Sequence, residues 1–331
     1  MKTQALVLTT LCAVLMSPPV AQSQELADPA DPVNALEALF GAQPGARRSQ
    51  TKGYCASGFF TGSADGRELT KAVPFSGAKM PTVVRFSVGG GNPNASDKSR
   101  STRGMALAMT LPDGQSWMQA NLSAPVYFVK DPRDFAAFVR ARVPDPVTGK
   151  PDPERLRAFN TAHPETLRQG QFLSERGAPA SFASTPYWGI NAFEFEASDG
   201  RKQLGRWRFD PEAGEQRLSD SQAAALPDNF LESELRERLA KGPVAFSFHV
   251  QLAEAVDDVT DATIEWPSTR TQVRAGRLVI ERIEALAACD TLMFNPLILP
   301  DGLKPSADPV LLARPATYGV SFGRRVTEVK P

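Results

Sequence analysis

Pro81-Thr-Val-Val-Arg-Phe-Ser-Val88, followed at once by Gly89-Gly-Gly-Asn-Pro93, decides the fold class. The first stretch is rich in β-branched residues and the second in turn formers, so together they read as a strand and its turn. From Gly53 onward the chain keeps this character. Residues 103–111 and 125–129 read as further strands. Asp113-Gly114 and Asp199-Gly200 are hairpin signals, and residues 186–196 and 203–209 flank the second of them. Over residues 244–252 the chain alternates, with Phe246, Phe248, Val250 and Leu252 on one face and Ser247, His249 and Gln251 on the other. Residues 273–283 are a long strand. Helices are expected at residues 133–143, 164–173, 219–225 and 229–241. Residues 308–318 read as helical, although Pro309 and Pro315 interrupt the pattern. Many antiparallel strands with helices added later define an α+β domain built on an antiparallel β-barrel.

Outside this body the sequence changes. Lys2, the apolar run at residues 5–16, the Pro18-Pro19 break, and Ala21 and Ser23 before Gln24 form the pattern of a secretory signal peptide, residues 1–23. Its apolar run is too short to span a membrane. Residues 24–46, rich in Ala, Pro, Asp and Gly with a short helical run at residues 33–40, read as an N-terminal arm. Residues 47–331 form the main domain. The chain is expected to be exported, to the periplasm, and to have no membrane attachment once the leader is cut.

Lys plus Arg number 37, as do Asp plus Glu, so no basic excess points to nucleic acid or an anionic membrane. The 331 residues suffice to bury a core and a cofactor together. His numbers only two and Cys three, with Cys12 in the leader. Widely spaced Cys and His residues exclude the usual zinc and iron–sulfur sites. Cys55 and Cys289 are either a disulfide, which export permits, or two separate buried thiols; the latter is the expectation. The Gly89–Gly91 run lacks a following Gly-Lys-Ser/Thr and is not a phosphate loop. No Gly-x-Ser-x-Gly is present. His249, on the polar face of its strand, reads as a solvent-facing or packing residue, and His163 as a loop or capping residue. No His-based triad is supported.

Three further segments carry chemistry. They are Arg47-Arg-Ser-Gln-Thr-Lys-Gly53, the pair Val84-Arg-Phe-Ser87 and Arg103-Gly-Met-Ala106, and Asp301 to Tyr318 with its Arg314-Pro-Ala-Thr-Tyr318 end, followed by Arg324-Arg325. Arg314 and Tyr318 are four residues apart, one helical turn, so the guanidinium can reach the phenol. Free Tyr has a pKa near ~10 and needs help to ionise. A metal supplies part of that help, and an adjacent cation supplies more.

In this order and spacing the segments resemble the catalase superfamily, and more closely its small branch, the catalase-related peroxidases. The resemblance covers residues 47–325. It implies a catalase-like barrel with a haem pocket between barrel and C-terminal helix, and haem b (iron protoporphyrin IX) as cofactor. Tyr318 then corresponds to the axial iron ligand, since tyrosinate holds the iron in catalase, and Arg314 tunes it. Arg47, Arg85 and Arg325 correspond to the arginines that hold the propionates, whose carboxylates suit guanidinium forks. Ser87 corresponds to a distal serine.

The distal side departs from the pattern. Where the family motif Arg-x-x-His-x-Lys-Gly carries its catalytic His, this chain has Gln50. An amide donates and accepts hydrogen bonds but does not titrate near neutrality. Asn121-Leu-Ser-Ala-Pro125 does not place an Asn where the family does, and Leu122 or Ser123 is expected there. The resemblance therefore implies a peroxidase that reduces organic hydroperoxides or hydrogen peroxide with a small-molecule electron donor, Gln50 and Ser87 serving catalysis and disproportionation being in doubt. The alternatives are a catalase-fold haem-binding or haem-carrier protein without turnover, and a barrel that has lost haem and binds an apolar ligand. A monomer or simple dimer is expected.

Overall fold

The computed structural model describes residues 28–328; the leader lies outside them. Strands β1 (Gly53–Gly62), β2 (Lys79–Val88), β3 (Arg103–Thr110) and β4 (Ser116–Leu122) form an antiparallel meander. The short β5 (Tyr187–Trp188) and β6 (Phe193–Glu196) lie end to end along β7 (Lys202–Pro211). β8 (Val244–Leu252) pairs with β7 and with β9 (Gln272–Glu284), and β9 returns to β1. This closes an eight-stranded antiparallel barrel, with β10 (Leu303–Pro305) added beside β6. Closure leaves no long edge to attract another chain.

Nine helices are described: α1 (Asp31–Phe40), α2 (Ala64–Leu69), α3 (Pro132–Ala141), α4 (Pro153–Ala162), α5 (Leu167–Ser174), α6 (Asp220–Ala224), α7 (Phe230–Lys241), α8 (Ala287–Asp290) and α9 (Pro309–Thr327). The barrel interior is aromatic. Phe60, Phe75, Trp117 and Phe248 touch one another, and Trp207 joins through Trp117 and Phe248, all tilted or edge-on, an arrangement favoured by the ring quadrupole. Phe246, Phe248 and Val250 point inward from β8 as the alternation predicts. His249 on its other face is part-exposed, with Nδ1 2.9 Å from Asp210 Oδ2.

Several expectations are corrected. Residues 125–129 are not a strand, because β4 ends at Leu122 and the following backbone finds other partners. Tyr127 N donates to Ala262 O at 2.8 Å, and Val126 O accepts from Gln169 Nε2 at 2.7 Å. Residues 186–196 are not one strand either. Gly189, where a Cβ would clash with the Trp207 indole, still donates to Trp207 O at 2.9 Å, but the pairing lapses over residues 190–192 and leaves Asn191 for other contacts. The C-terminal helix runs on through Pro315 as far as Thr327. Pro309 sits at its start, where no N–H is needed, and Asp308 caps it. The N-terminal arm is part of the body: α1 packs on α3 through Ala35, Leu36, Ala136 and Val139. Finally, Cys55 and Cys289 are joined, 234 residues apart in sequence with Cα atoms 5.8 Å apart, because α8 is laid against the barrel wall at β1. The two are not separate thiols.

Candidate active site

The outer face of β2–β4 is the floor of a cavity of about 440 Å³, roofed by α9, α1 and α3. Strand register explains the floor. Arg85, Ala106 and Ala120 form one cross-strand row, and Ser87, Gly104 and Leu122 the next. Between the polar Arg85 and Ser87 and the more distant wall, the row positions are therefore mostly small. Gly104 must be small: a Cβ there would fall 2.5 Å from Ser87 Oγ and 3.0 Å from Gln50 Oε1. On the roof, α9 presents Val310, Arg314, Tyr318, Phe322 and Arg325, residues recurring at helical spacing along one face. Arg47, Gln50, Arg85, Ser87, Arg314, Tyr318 and Arg325 all line this one cavity.

The side built on α9 is fully connected. Arg314 donates to Tyr318 Oη from Nε at 3.0 Å and from Nη2 at 2.8 Å, and from Nη1 to Asn191 Oδ1 at 3.0 Å. Asn191 Nδ2 donates to Asp308 Oδ2 at 2.6 Å, while Asp308 Oδ1 accepts from Val310 N and Leu311 N at the start of α9. One carboxylate thus caps the helix and anchors the residue that holds Arg314. Burial pushes the Asp308 carboxyl up, and the Asn191 and backbone hydrogen bonds only partly counter it. Burial would depress the Arg314 guanidinium, but Tyr318 and Tyr127 raise it above the usual arginine value. Asn191 was not singled out in the sequence. Its place depends on the interruption of strand pairing at residues 190–192.

At one end of the cavity three arginines converge. Burial lowers the Arg47 pKa to about 9, with Arg85 and Arg325 as repelling neighbours, and lowers Arg85 to about 10. Burial likewise lowers Arg325. Arg47 Nη2 donates to the carbonyls of Cys289 and Leu292 at 3.0 and 2.7 Å, so the disulfide-tethered segment holds this side chain. Arg85 Nη2 donates to Thr51 O at 3.1 Å. Arg325 Nη1 lies 3.8 Å from Asp290 Oδ1. Arg47 Nε, Arg85 Nε and both Arg325 Nη atoms are buried without hydrogen-bond partners among the described residues. Burying an ion costs several kcal/mol. Three such cations with unused donors fit a ligand carrying more than one carboxylate.

The opposite side is different in kind. Ser87 Oγ donates to Gln50 Oε1 at 2.9 Å, leaving the Gln50 amide NH₂ as a donor in the cavity. Gln50 has φ of 54°, a left-handed conformation uncommon for a side chain of its shape. Held strain of this sort clusters at functional positions. Of the two residues expected nearby, Leu122 lines the cavity. Ser123 does not; its Oγ accepts from Arg103 N at 2.7 Å. Asn121 also reaches the cavity, but its amide is occupied, donating to Met105 O at 3.0 Å and accepting from Trp207 Nε1 at 2.7 Å. His163 stands elsewhere, stacked on Phe159 with Nδ1 3.5 Å from Asp134 Oδ2.

The closed barrel's outer wall and the C-terminal helix thus enclose an Arg–Tyr pair and a buried arginine cluster in one cavity. Residues 44–328 match the catalase family, and the chain belongs to that family of enzymes. Among its relatives, a catalase-related peroxidase of Synechococcus elongatus is 40% identical over 295 residues, covering 88% of this chain and 87% of the relative. A catalase-related peroxidase of Mycolicibacterium paratuberculosis is 36% identical over 300 residues, covering 90% and 94%. Among solved structures, catalase A from Saccharomyces cerevisiae superimposes with a TM-score of 0.78 at 22% identity, over 85% of this chain and 61% of that one, a likeness of fold.

Proposed function

We propose that the protein is a haem peroxidase, reducing hydrogen peroxide or organic hydroperoxides with electrons from a separate small-molecule donor. The observation that carries this reading is the buried Arg47–Arg85–Arg325 cluster, with unpaired N–H groups, in the same cavity as the Arg314–Tyr318 pair. The relatives named catalase-related peroxidase support it. Arg47, Arg85 and Arg325 would hold the propionates, and Tyr318 would be the iron ligand. Bound haem would supply the redox-active iron at which the peroxide O–O bond is cleaved.

The chain's own residues do the rest. Arg314 places two donors on the Tyr318 oxygen, while Asn191 and Asp308 keep Arg314 from turning away. Across the cavity, the Gln50 amide can donate to a peroxide oxygen, and Ser87 fixes the orientation of that amide. Gln50 cannot take up the peroxide proton. The contribution of a positioned acid–base group, typically ~10²–10⁴-fold, is withdrawn. In the overall reaction a hydroperoxide gains two electrons and two protons and leaves as an alcohol and water, the electrons coming from the donor.

The secretory pattern of residues 1–23 supports export, and the Cys55–Cys289 bond suits an oxidising compartment. Gln50 also favours a second reading, a haem-binding or haem-carrier protein without turnover. The test is to load the mature protein with haemin and follow peroxide-dependent oxidation of an electron donor. Sustained turnover establishes the peroxidase. A Soret band without turnover, with haem passing readily to apo-myoglobin, establishes the carrier.

A further inference from the structure

Cys55 belongs to the row that builds the cavity floor. In the register of the wall its neighbours are Arg85 on β2 and Glu284 on β9. Residues paired across strands share a face, so Cys55 extends the line of Arg85, Ala106 and Ala120. β9 ends at Glu284, and Cys289 follows in α8. The disulfide spans 234 residues of sequence, yet β9 has already brought its two ends together. In the folded barrel it closes only the short turn from Glu284 to Cys289. The β1–β9 ladder from Cys55 to Gly62 stands without it.

What the bond fixes is an end wall of the cavity. After β9 the chain meets the barrel again at Ile298, where Met118 N donates to Ile298 O at 2.9 Å. Between these anchors the backbone bonds are local: Ala288 N donates to Ala285 O, Cys289 N to Leu286 O and Leu292 N to Cys289 O. Met293 and Phe294 line the cavity. The carbonyls of Cys289, Asp290 and Leu292 accept from Arg47 Nη2 at 3.0, 3.3 and 2.7 Å. The Phe294 ring lies under the same guanidinium, 5.6 Å from it at the centroid. These contacts hold Arg47 against the repulsion of Arg85 and Arg325. Besides the disulfide, a small apolar cluster of Ala108, Met118, Leu292 and Phe294 holds the segment to the wall. Both cysteines are buried, while residues 285–288 just ahead of Cys289 are exposed. Opening this one short turn, a local event, brings a reductant to the sulfurs.

We propose that the Cys55–Cys289 bond is a redox-operated clip on the pocket. Oxidised, it keeps the three carbonyls on Arg47 and the end wall closed. Reduced, it releases residues 285–294, Arg47 loses its acceptors, and the cavity loses affinity for its cofactor. A dithiol donor passes two electrons and two protons to the bond, becoming a disulfide itself as the S–S bond opens to two thiols. The loss of affinity rests on the haem reading; the release of the segment does not.

The experiment begins with the cofactor-free mature protein. Hydrogen exchange is followed by mass spectrometry before and after reduction with dithiothreitol. Exchange quickens in residues 285–294 and keeps its rate in β1 and β9. Unchanged exchange overturns the clip. So does a quickening that spreads through β1 and β9, because the bond is then a staple of the whole barrel. Haemin is next titrated, with the Soret band as readout, into four forms: oxidised protein, protein reduced and then freed of dithiothreitol under nitrogen, Cys289→Ser, and Cys55→Ser. The three open forms bind roughly 10- to 100-fold more weakly, the value of hydrogen bonds to a charged group. Reoxidation restores the affinity of the unaltered chain and leaves the variants weak. Equal affinity of the oxidised and reduced unaltered protein overturns the proposal without recourse to any variant. Haemin bound by none of the four removes the haem reading, and quickened exchange confined to residues 285–294 still upholds the clip.

Discussion

The two faces of the cavity are built on opposite plans. On the α9 face, a continuous chain of hydrogen bonds runs from the helix cap at Asp308 through Asn191 and Arg314 to Tyr318. On the barrel face, Ser87 and Gln50 form a single bond between neutral groups, and the Asn121 amide is spent on structure. The first arrangement fixes a charge in place. The second can orient a ligand but cannot exchange a proton with it. The difference teaches that fixing a charge and moving a proton are separate demands, and that only the first is met by the groups joined on the α9 face.

The strongest way to break the comparison is Tyr318→Phe. It removes the oxygen on which two Arg314 donors converge, and the Soret band of the haemin-loaded protein is expected to disappear or move, read by visible absorption. A spectrum unchanged in position and intensity would mean that the α9 face does not hold the iron. Next in size is Gln50→His, which puts a titrating group on the barrel face. Histidine tolerates a φ of 54° better than glutamine does. Peroxide consumption is expected to rise, within a ceiling of ~10²–10⁴-fold. No gain would show that proton transfer at this position is not what limits the enzyme.

Asn191→Ala sharpens the contrast from the connected side. It leaves Asp308 and Arg314 each short of a partner, at a cost of about 1–3 kcal/mol in urea unfolding. The equivalent cut on the barrel face, Ser87→Ala, is expected to cost about 1 kcal/mol, as for one neutral hydrogen bond. The smallest effect concerns pH. Burial pushes the Glu37 carboxyl up, but Arg48 and Arg324 bring it below its ordinary value of 4.5. Its stabilising contribution is therefore complete above pH 4.5 and lost as pH falls through the lower folded value. The thermal midpoint should decline in that acid window, and Glu37→Gln should flatten part of the decline.

The sequence was most informative where one short segment contains both partners. The four-residue step from Arg314 to Tyr318 and the alternation of residues 244–252 are local patterns, and the structure realises both. It was least informative where partners come from distant segments. Asn191 reads as an ordinary strand residue, yet it falls in the unpaired residues 190–192 between β5 and β6. Residues 125–129 have strand-like composition, but their hydrogen bonds go to Gln169 and Ala262. Residues 31–40 look like the end of an arm, yet they form a cavity wall because Glu37 meets Arg48 and Arg324. The joining of Cys55 to Cys289 depended on where α8 comes to rest.

The site draws on both ends of the chain. Arg47 and Gln50 precede the first barrel strand, that strand is closed by β9, and Tyr318 and Arg325 lie in the last helix. A growing chain therefore completes its barrel before it can complete its pocket. The proposed haem can be seated only after the final turns of α9 exist. Colour in a preparation would then count finished molecules.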